Sequence, residues 1–194
     1  MKTAIQKPIY RLCVCAMLIA LSTVLSEIKI PKAFGGSVTL FSMVPVCLIG
    51  ILYGLRWGLP SCCLYGGIQL LLGLKNLSYA TGWHAVLAII FLDYLLAFSG
   101  LCLSGVFCRK VKNQSVACGI GVALGCVLRF VCHFITGVTV WRDASASFAA
   151  SAVFSLTYNA TYMLPELVLT TVGVVLLVQT GAVRQMKKMM QKNG

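Results

Sequence analysis

Residues 83–108 form an unbroken run in which Asp93 is the only formally charged side chain. About 20 apolar residues make a helix long enough to cross the hydrocarbon core of a bilayer, so this one run sets the class of the chain. No water reaches that core to satisfy a bare backbone, which leaves helices and closed barrels as spanning structures. Barrel strands alternate apolar and polar residues; this run is continuously apolar and reads as a helix. The rest of the chain repeats the pattern. Of its 194 residues 59% are hydrophobic and 10% charged, against about a quarter charged in an ordinary soluble domain. The expected fold class is therefore an all-α integral membrane protein. Six transmembrane helices are expected, at 10–25, 38–53, 59–74, 83–108, 116–140 and 148–180, in a single membrane domain over residues 1–194.

The charges orient it. Lys and Arg total 16 against four acids, a formal net charge of +12. With the N-terminus inside, Lys29, Lys32, Lys75 and Arg142 fall outside, and the larger basic set (Arg56, Arg109, Lys110, Lys188 and others) falls inside. That bias predicts an N-in/C-in topology. It also explains the basicity without nucleic acid, since the aromatic-lined basic groove of a single-strand binder is absent. The ten cysteines form no CxxC pair and mostly sit within apolar runs, as small packing residues do. After Leu25 come Glu27, Lys29 and Lys32 rather than a small-residue cleavage site, so the first span is expected to stay uncleaved.

Some details are local. Ala16 and Ala20 make a small-xxx-small pair, which serves either packing within the bundle or close approach of another helix. Pro45 predicts a kink in the second span. Residues 54–58 read as a tight basic turn, and the tail from Arg184 as a solvated or headgroup-bound end.

The fifth span holds the anomaly. Arg129, His133, Gly137 and Trp141 recur every fourth residue, so they form one slowly drifting stripe on a helix. Ionisable groups at membrane depth usually face a cavity or a pathway. Counting inward at 1.5 Å per residue places Asp93, His133 and Asn159, on three different spans, at one level roughly 11–16 Å below the outer surface. Arg129 lies one turn deeper, and Trp83 and Trp141 lie near the rim, as interfacial anchors or a lid. Asp93 is then either an internal partner of Arg129 or a counter-ion for a cationic ligand. His133 is either a satisfied core residue or a site residue, and Asn159 either interhelical glue or a ligand contact. Tyr94, Trp83, Trp141 and Phe154 supply aromatic surface for stacking and cation–π contact. A small, flat, partly cationic ligand entering from outside fits this set. A G-x-x-x-x-G-K-[ST] loop, an H-E-x-x-H helix, a G-x-S-x-G elbow and a His/Cys cluster are all missing from the sequence, so neither an ATPase nor a hydrolase nor a metal site is expected.

Four motifs carry a resemblance. They are Gly35-Gly-Ser-Val-Thr-Leu40 with Ser42-Met-Val-Pro45, Leu92-Asp-Tyr-Leu-Leu-Ala97, His133-Phe-Ile-Thr-Gly137, and Ser155-Leu-Thr-Tyr-Asn-Ala-Thr-Tyr-Met163. In this order the chain resembles the ThiT family, the thiamine-specific substrate-binding (S) components of energy-coupling factor (ECF) transporters. The resemblance implies a six-helix protein that takes thiamine from outside, needs no cofactor, and works with an ECF module of one transmembrane coupling protein and two ATPases. It places the family's acidic residue at Asp93, followed by Tyr94. It places the histidine at His133, the glycine at Gly137, the stacking tryptophan at Trp141, the basic residue at Arg129, the asparagine at Asn159 and a rim aromatic at Trp83. It assigns Ala16 and Ala20 to contact with the coupling protein. Three departures from relatives stand out: Phe154 stands where some have Tyr, Phe34 with Gly35-Gly36 where some have a Trp lid, and Asp93 where some have Glu, one methylene longer. Thiamine suits the residues independently, since its thiazolium is a permanent cation and its aminopyrimidine both donates and accepts hydrogen bonds. Another vitamin, a thiamine precursor, or an autonomous ion-coupled carrier using Asp93 and His133 are the alternatives.

Overall fold

The computed structural model describes residues 2–31, 36–143, 145 and 147–193. Helix α1 spans Lys2–Glu27 and leads into a two-stranded antiparallel hairpin, β1 (Lys29–Pro31) and β2 (Ser37–Thr39), with Ile30 opposite Val38. Then come α2 (Met43–Tyr53), α3 (Leu55–Leu72), a short 3-10 segment (Leu74–Tyr79), α4 (Trp83–Arg109), α5 (Gln114–Thr139), α6 (Phe148–Gln179) and α7 (Ala182–Asn193). Phe34, Gly35 and Lys32 of the first outer loop lie outside the described residues.

Among the described residues four helices are long and apolar enough to cross a membrane: Pro8–Glu27, Trp83–Arg109, Gln114–Thr139 and Phe148–Gln179. Their outer faces are greasy. Leu12, Met17, Leu21 and Val24 of α1, with Val153, Leu164, Val168 and Leu176 of α6, are each half exposed or more. A water-soluble monomer does not show so much apolar surface, whereas lipid covers it without cost. On α1 the buried stripe is Val14, Cys15, Leu18, Ile19 and Ser22, leaving Ala16 and Ala20 on the exposed face. The small pair therefore does not pack within the bundle.

The middle of the chain corrects three expectations. The second span, expected at 38–53, is helical only over the 11 residues from Met43; Ser37–Thr39 is strand. That much helix rises about 16 Å, half a bilayer. Pro45 does not kink it, because it sits in the first turn, where its missing N–H has no intrahelical partner to lose. The turn expected over 54–58 reduces to Gly54 alone, at φ 72°, and Arg56 and Trp57 already belong to α3.

Helix α2 is the hub. Every residue from Met43 to Ile51 is buried, as befits a helix that is apolar all round. It reaches α4 backbone to backbone: a Cβ on Gly105 would collide with the Gly50 carbonyl, so only glycine allows the approach. Helix α4 is itself not uniform. It runs as α over Trp83–Ala88, widens to a π-helix over Ile89–Leu96, and tightens to 3-10 over Gly100–Arg109. Helix α5 is started by Asn113, whose side chain accepts from the Ser115 and Val116 amides, and α6 by Ser147, which accepts from Ala150. Helix α5 packs most extensively against α4, and next against α6.

Candidate functional site

A cavity of about 480 Å³ lies between the hairpin and helices α3, α4, α5 and α6, within the size range of small-molecule sites. Asp93 stands in its wall, 6% exposed, on the π-helical stretch of α4. Such wide turns recur at functional sites. A buried carboxylate needs donors for its oxygens, and α5 with the turn just beyond its end brings three groups to it. His133 Nδ1 lies 3.0 Å from Oδ1, the Thr136 hydroxyl donates to the same oxygen, and Trp141 Nε1 donates to Oδ2 at 3.1 Å. Of the two readings of Asp93, the internal pair with Arg129 is not formed. The other ring nitrogen of His133, Nε2, is a buried atom without a partner among the described residues, and with a proton on Nδ1 it would offer a lone pair to the cavity.

Arg129, one turn deeper, pairs with Glu166 of α6 at 2.6 Å and covers the Phe98 ring at 4.8 Å. Glu166 also accepts from the Thr39 amide (3.1 Å) and hydroxyl (2.7 Å), which ties the hairpin to the cavity floor. Asn159 is buried and donates from Nδ2 to the Ser155 carbonyl at 2.8 Å and the His133 carbonyl at 3.3 Å; its Oδ1 accepts from the Tyr162 hydroxyl at 2.5 Å. So Asp93, His133 and Asn159 do meet at one level, as their depths require. Gly137 is the seam between α5 and α6: a Cβ there would overlap the Ser155 hydroxyl, which instead donates to the Phe134 carbonyl at 3.0 Å.

The aromatic residues divide. Trp141 and Phe154 line the cavity, and so does Tyr94, whose hydroxyl accepts from Asn76 at 2.9 Å. Trp83 does not; its ring is two-thirds exposed and lies against His84, which suits the interface rather than the site. Tyr158 and Tyr162 belong to the wall and went unassigned in the sequence. Phe154 stacks on Tyr158 at 5.9 Å, and Tyr158 meets Tyr162 edge to face at 5.7 Å. The signal for them was present: Phe154, Tyr158, Tyr162 and Glu166 recur every fourth residue, as the α5 stripe does. Thr136 also went unassigned, because a threonine in an apolar helix ordinarily bonds its own preceding turn. Among the described residues no cluster of three or more His, Cys, Asp or Glu could hold a metal.

Comparison with known proteins identifies the family. The family model described as "Thiamine transporter protein" (Thia_YuaJ) matches residues 12–185. The thiamine transporter ThiT of Bacillus subtilis (strain 168) is 30% identical over 186 residues, covering 90% of this chain and 93% of that protein. The solved structure of ThiT from Listeria monocytogenes superposes with a TM-score of 0.70 over 91% of this chain and 97% of its own, at 24% identity, and so shares the fold. The matched stretch contains every helix that lines the cavity, and the chain belongs to the thiamine transporter protein family, as a multi-pass, non-enzymatic protein of the cell membrane.

Proposed function

We propose that the cavity binds thiamine from the outer face, and that the chain is the S component of an ECF-type importer. Family membership supports the ligand. The observation that carries the assignment is a buried carboxylate, Asp93, held in the wall of an aromatic cavity by the indole N–H of Trp141 and the imidazole of His133. The thiazolium, a permanent cation, takes the charge of Asp93 and the faces of Trp141 and Tyr158. The aminopyrimidine donates to His133 Nε2, while Asn159 and Tyr94 set the wall's shape. Arg129, paired with Glu166, and Gly137, at the α5–α6 seam, hold that wall in place.

The chain crosses the membrane six times, N-in/C-in, with α2 and α3 as its short spans and the hairpin on the outer side. A chain without a P-loop cannot hydrolyse ATP by that route, so a separate ECF module, with its coupling protein and two ATPases, supplies the energy. The exposure of Ala16 and Ala20 supports their role as its docking face. The test is a thiamine titration of purified protein followed by tryptophan fluorescence, with riboflavin and biotin as controls. Saturable quenching by thiamine alone is expected; equal responses to all three would reject the assignment. Ala16→Trp should then retain binding and lose module-dependent uptake, and uptake in cells lacking any module would reject the partner.

A further inference from the structure

Two cysteines of the ten stand apart from the packing role. Cys108 closes the last turn of α4 and Cys118 lies one turn into α5, with their Sγ atoms 3.4 Å apart. The helix ends that carry them are fixed: Gln114 Nε2 donates to the Cys108 carbonyl at 2.9 Å, and Asn113 caps α5. Cys108 is partly exposed and Cys118 is buried beneath it. Lys187, on α7, is close enough for its charge to act on both sulfurs. Among the described residues no other two cysteines have their sulfurs in contact, and Cys13 stands exposed.

We infer that Cys108 and Cys118 form a reactive dithiol site that takes hydroperoxides as its substrate class. An accessible sulfur with a cation nearby is the one that reacts, and a second sulfur in contact resolves it. The Cys108 thiolate attacks the distal oxygen of a hydroperoxide; the O–O bond breaks, the alkoxide leaves and is protonated, and a sulfenic acid remains. The Cys118 thiolate then attacks that sulfur, the S–O bond breaks and hydroxide leaves as water. Two thiols and one hydroperoxide yield one disulfide, one alcohol and one water, with the thiols oxidised by two electrons. Closing 3.4 Å to the roughly 2.05 Å of a disulfide needs a shift of just over one ångström. The bond would tie together α4, which holds Asp93, and α5, which holds His133 and Thr136 against it.

The test uses the full chain in liposomes, exposed to hydrogen peroxide, quenched with an alkylating agent and mapped by mass spectrometry. A Cys108–Cys118 disulfide should form several-fold faster than Cys13 or Cys63 oxidises, and dithiothreitol should reverse it. Cys118→Ser should trap sulfenic or sulfinic acid on Cys108, and Cys108→Ser should leave Cys118 reduced. Oxidation of Cys108 no faster than Cys13, or its linkage to another cysteine, overturns the site. Thiamine binding by the reduced protein is read separately and bears on neither result.

Discussion

Asp93→Asn separates charge from shape at the centre of the site. The substitution preserves size but leaves one oxygen where there were two. In one amide orientation the oxygen keeps His133 and Thr136, and the –NH₂ faces the indole N–H of Trp141, donor against donor. In the other, Trp141 is satisfied and the imidazole must turn over its tautomer to accept from the amide. That moves the ring proton to Nε2 and converts a ligand acceptor into a donor. Either way the negative charge is gone. For a thiazolium about 5 Å from the carboxylate, at an effective dielectric constant of about 20, the lost attraction is about 3 kcal/mol. At roughly 1.4 kcal/mol per tenfold, thiamine should bind on the order of a hundredfold more weakly. Isothermal titration with thiamine, and with its isolated aminopyrimidine half, reads the two contributions. The neutral half should lose only the hydrogen-bond share, several-fold. Equal losses for both ligands, or an undiminished affinity for thiamine, would refute Asp93 as the counter-charge.

Three further outcomes follow from the same geometry. Trp141→Phe removes a donor to a carboxylate, a bond worth about 1.5–3 kcal/mol, and should weaken thiamine and abolish most of the fluorescence quench, because Trp57 and Trp83 lie off the cavity. Glu166→Ala leaves Arg129 buried and unpaired at a cost of about 3–5 kcal/mol, so the melting temperature in detergent should fall sharply, while the double change Arg129→Met/Glu166→Met should recover much of it. Gly137→Ala pushes α6 off α5, costing about 1–3 kcal/mol by overpacking, and Ser155→Gly in the same chain should restore the melting temperature if the seam is the cause.

The sequence shows the site better than the scaffold. Depth along an apolar helix is a ruler, so Asp93, His133 and Asn159 could be levelled before any coordinates, and the structure brings the three together. Lateral placement has no such ruler. Whether Arg129 faces Asp93 or Glu166 depends on which side of α5 each neighbour packs, and spacing within one helix does not say. The short α2 was hidden for a related reason. Val38, Thr39 and Leu40 count as apolar or neutral in any window, yet they make a strand and a turn, and Phe41 takes φ 56°. Apolarity records that a segment is shielded from water; it does not record whether lipid or protein does the shielding, and α2 is shielded wholly by protein. Trp83 was misplaced by the converse ambiguity, since an aromatic at the rim serves the lipid interface as readily as a ligand.

The two period-four stripes also explain why the cavity is polar on one wall and aromatic on another. A residue every four positions drifts slowly around a helix, so each stripe faces one neighbour over three turns before leaving it. On α5 the stripe runs outward from Arg129 to Trp141; on α6, antiparallel, it runs inward from Phe154 to Glu166. Cation therefore meets acid at the deep end, Arg129 on Glu166, and aromatic stands by aromatic at the mouth, Trp141 with Phe154 and Tyr158. Between them Gly137 supplies the close approach and Asn159 fastens α6 to the His133 carbonyl. With its deep charge neutralised within the protein, the cavity keeps one carboxylate, Asp93, on a third helix at mid-depth. On the proposed function, a flat cation entering between the aromatics would meet that carboxylate before it reached the Arg129–Glu166 pair.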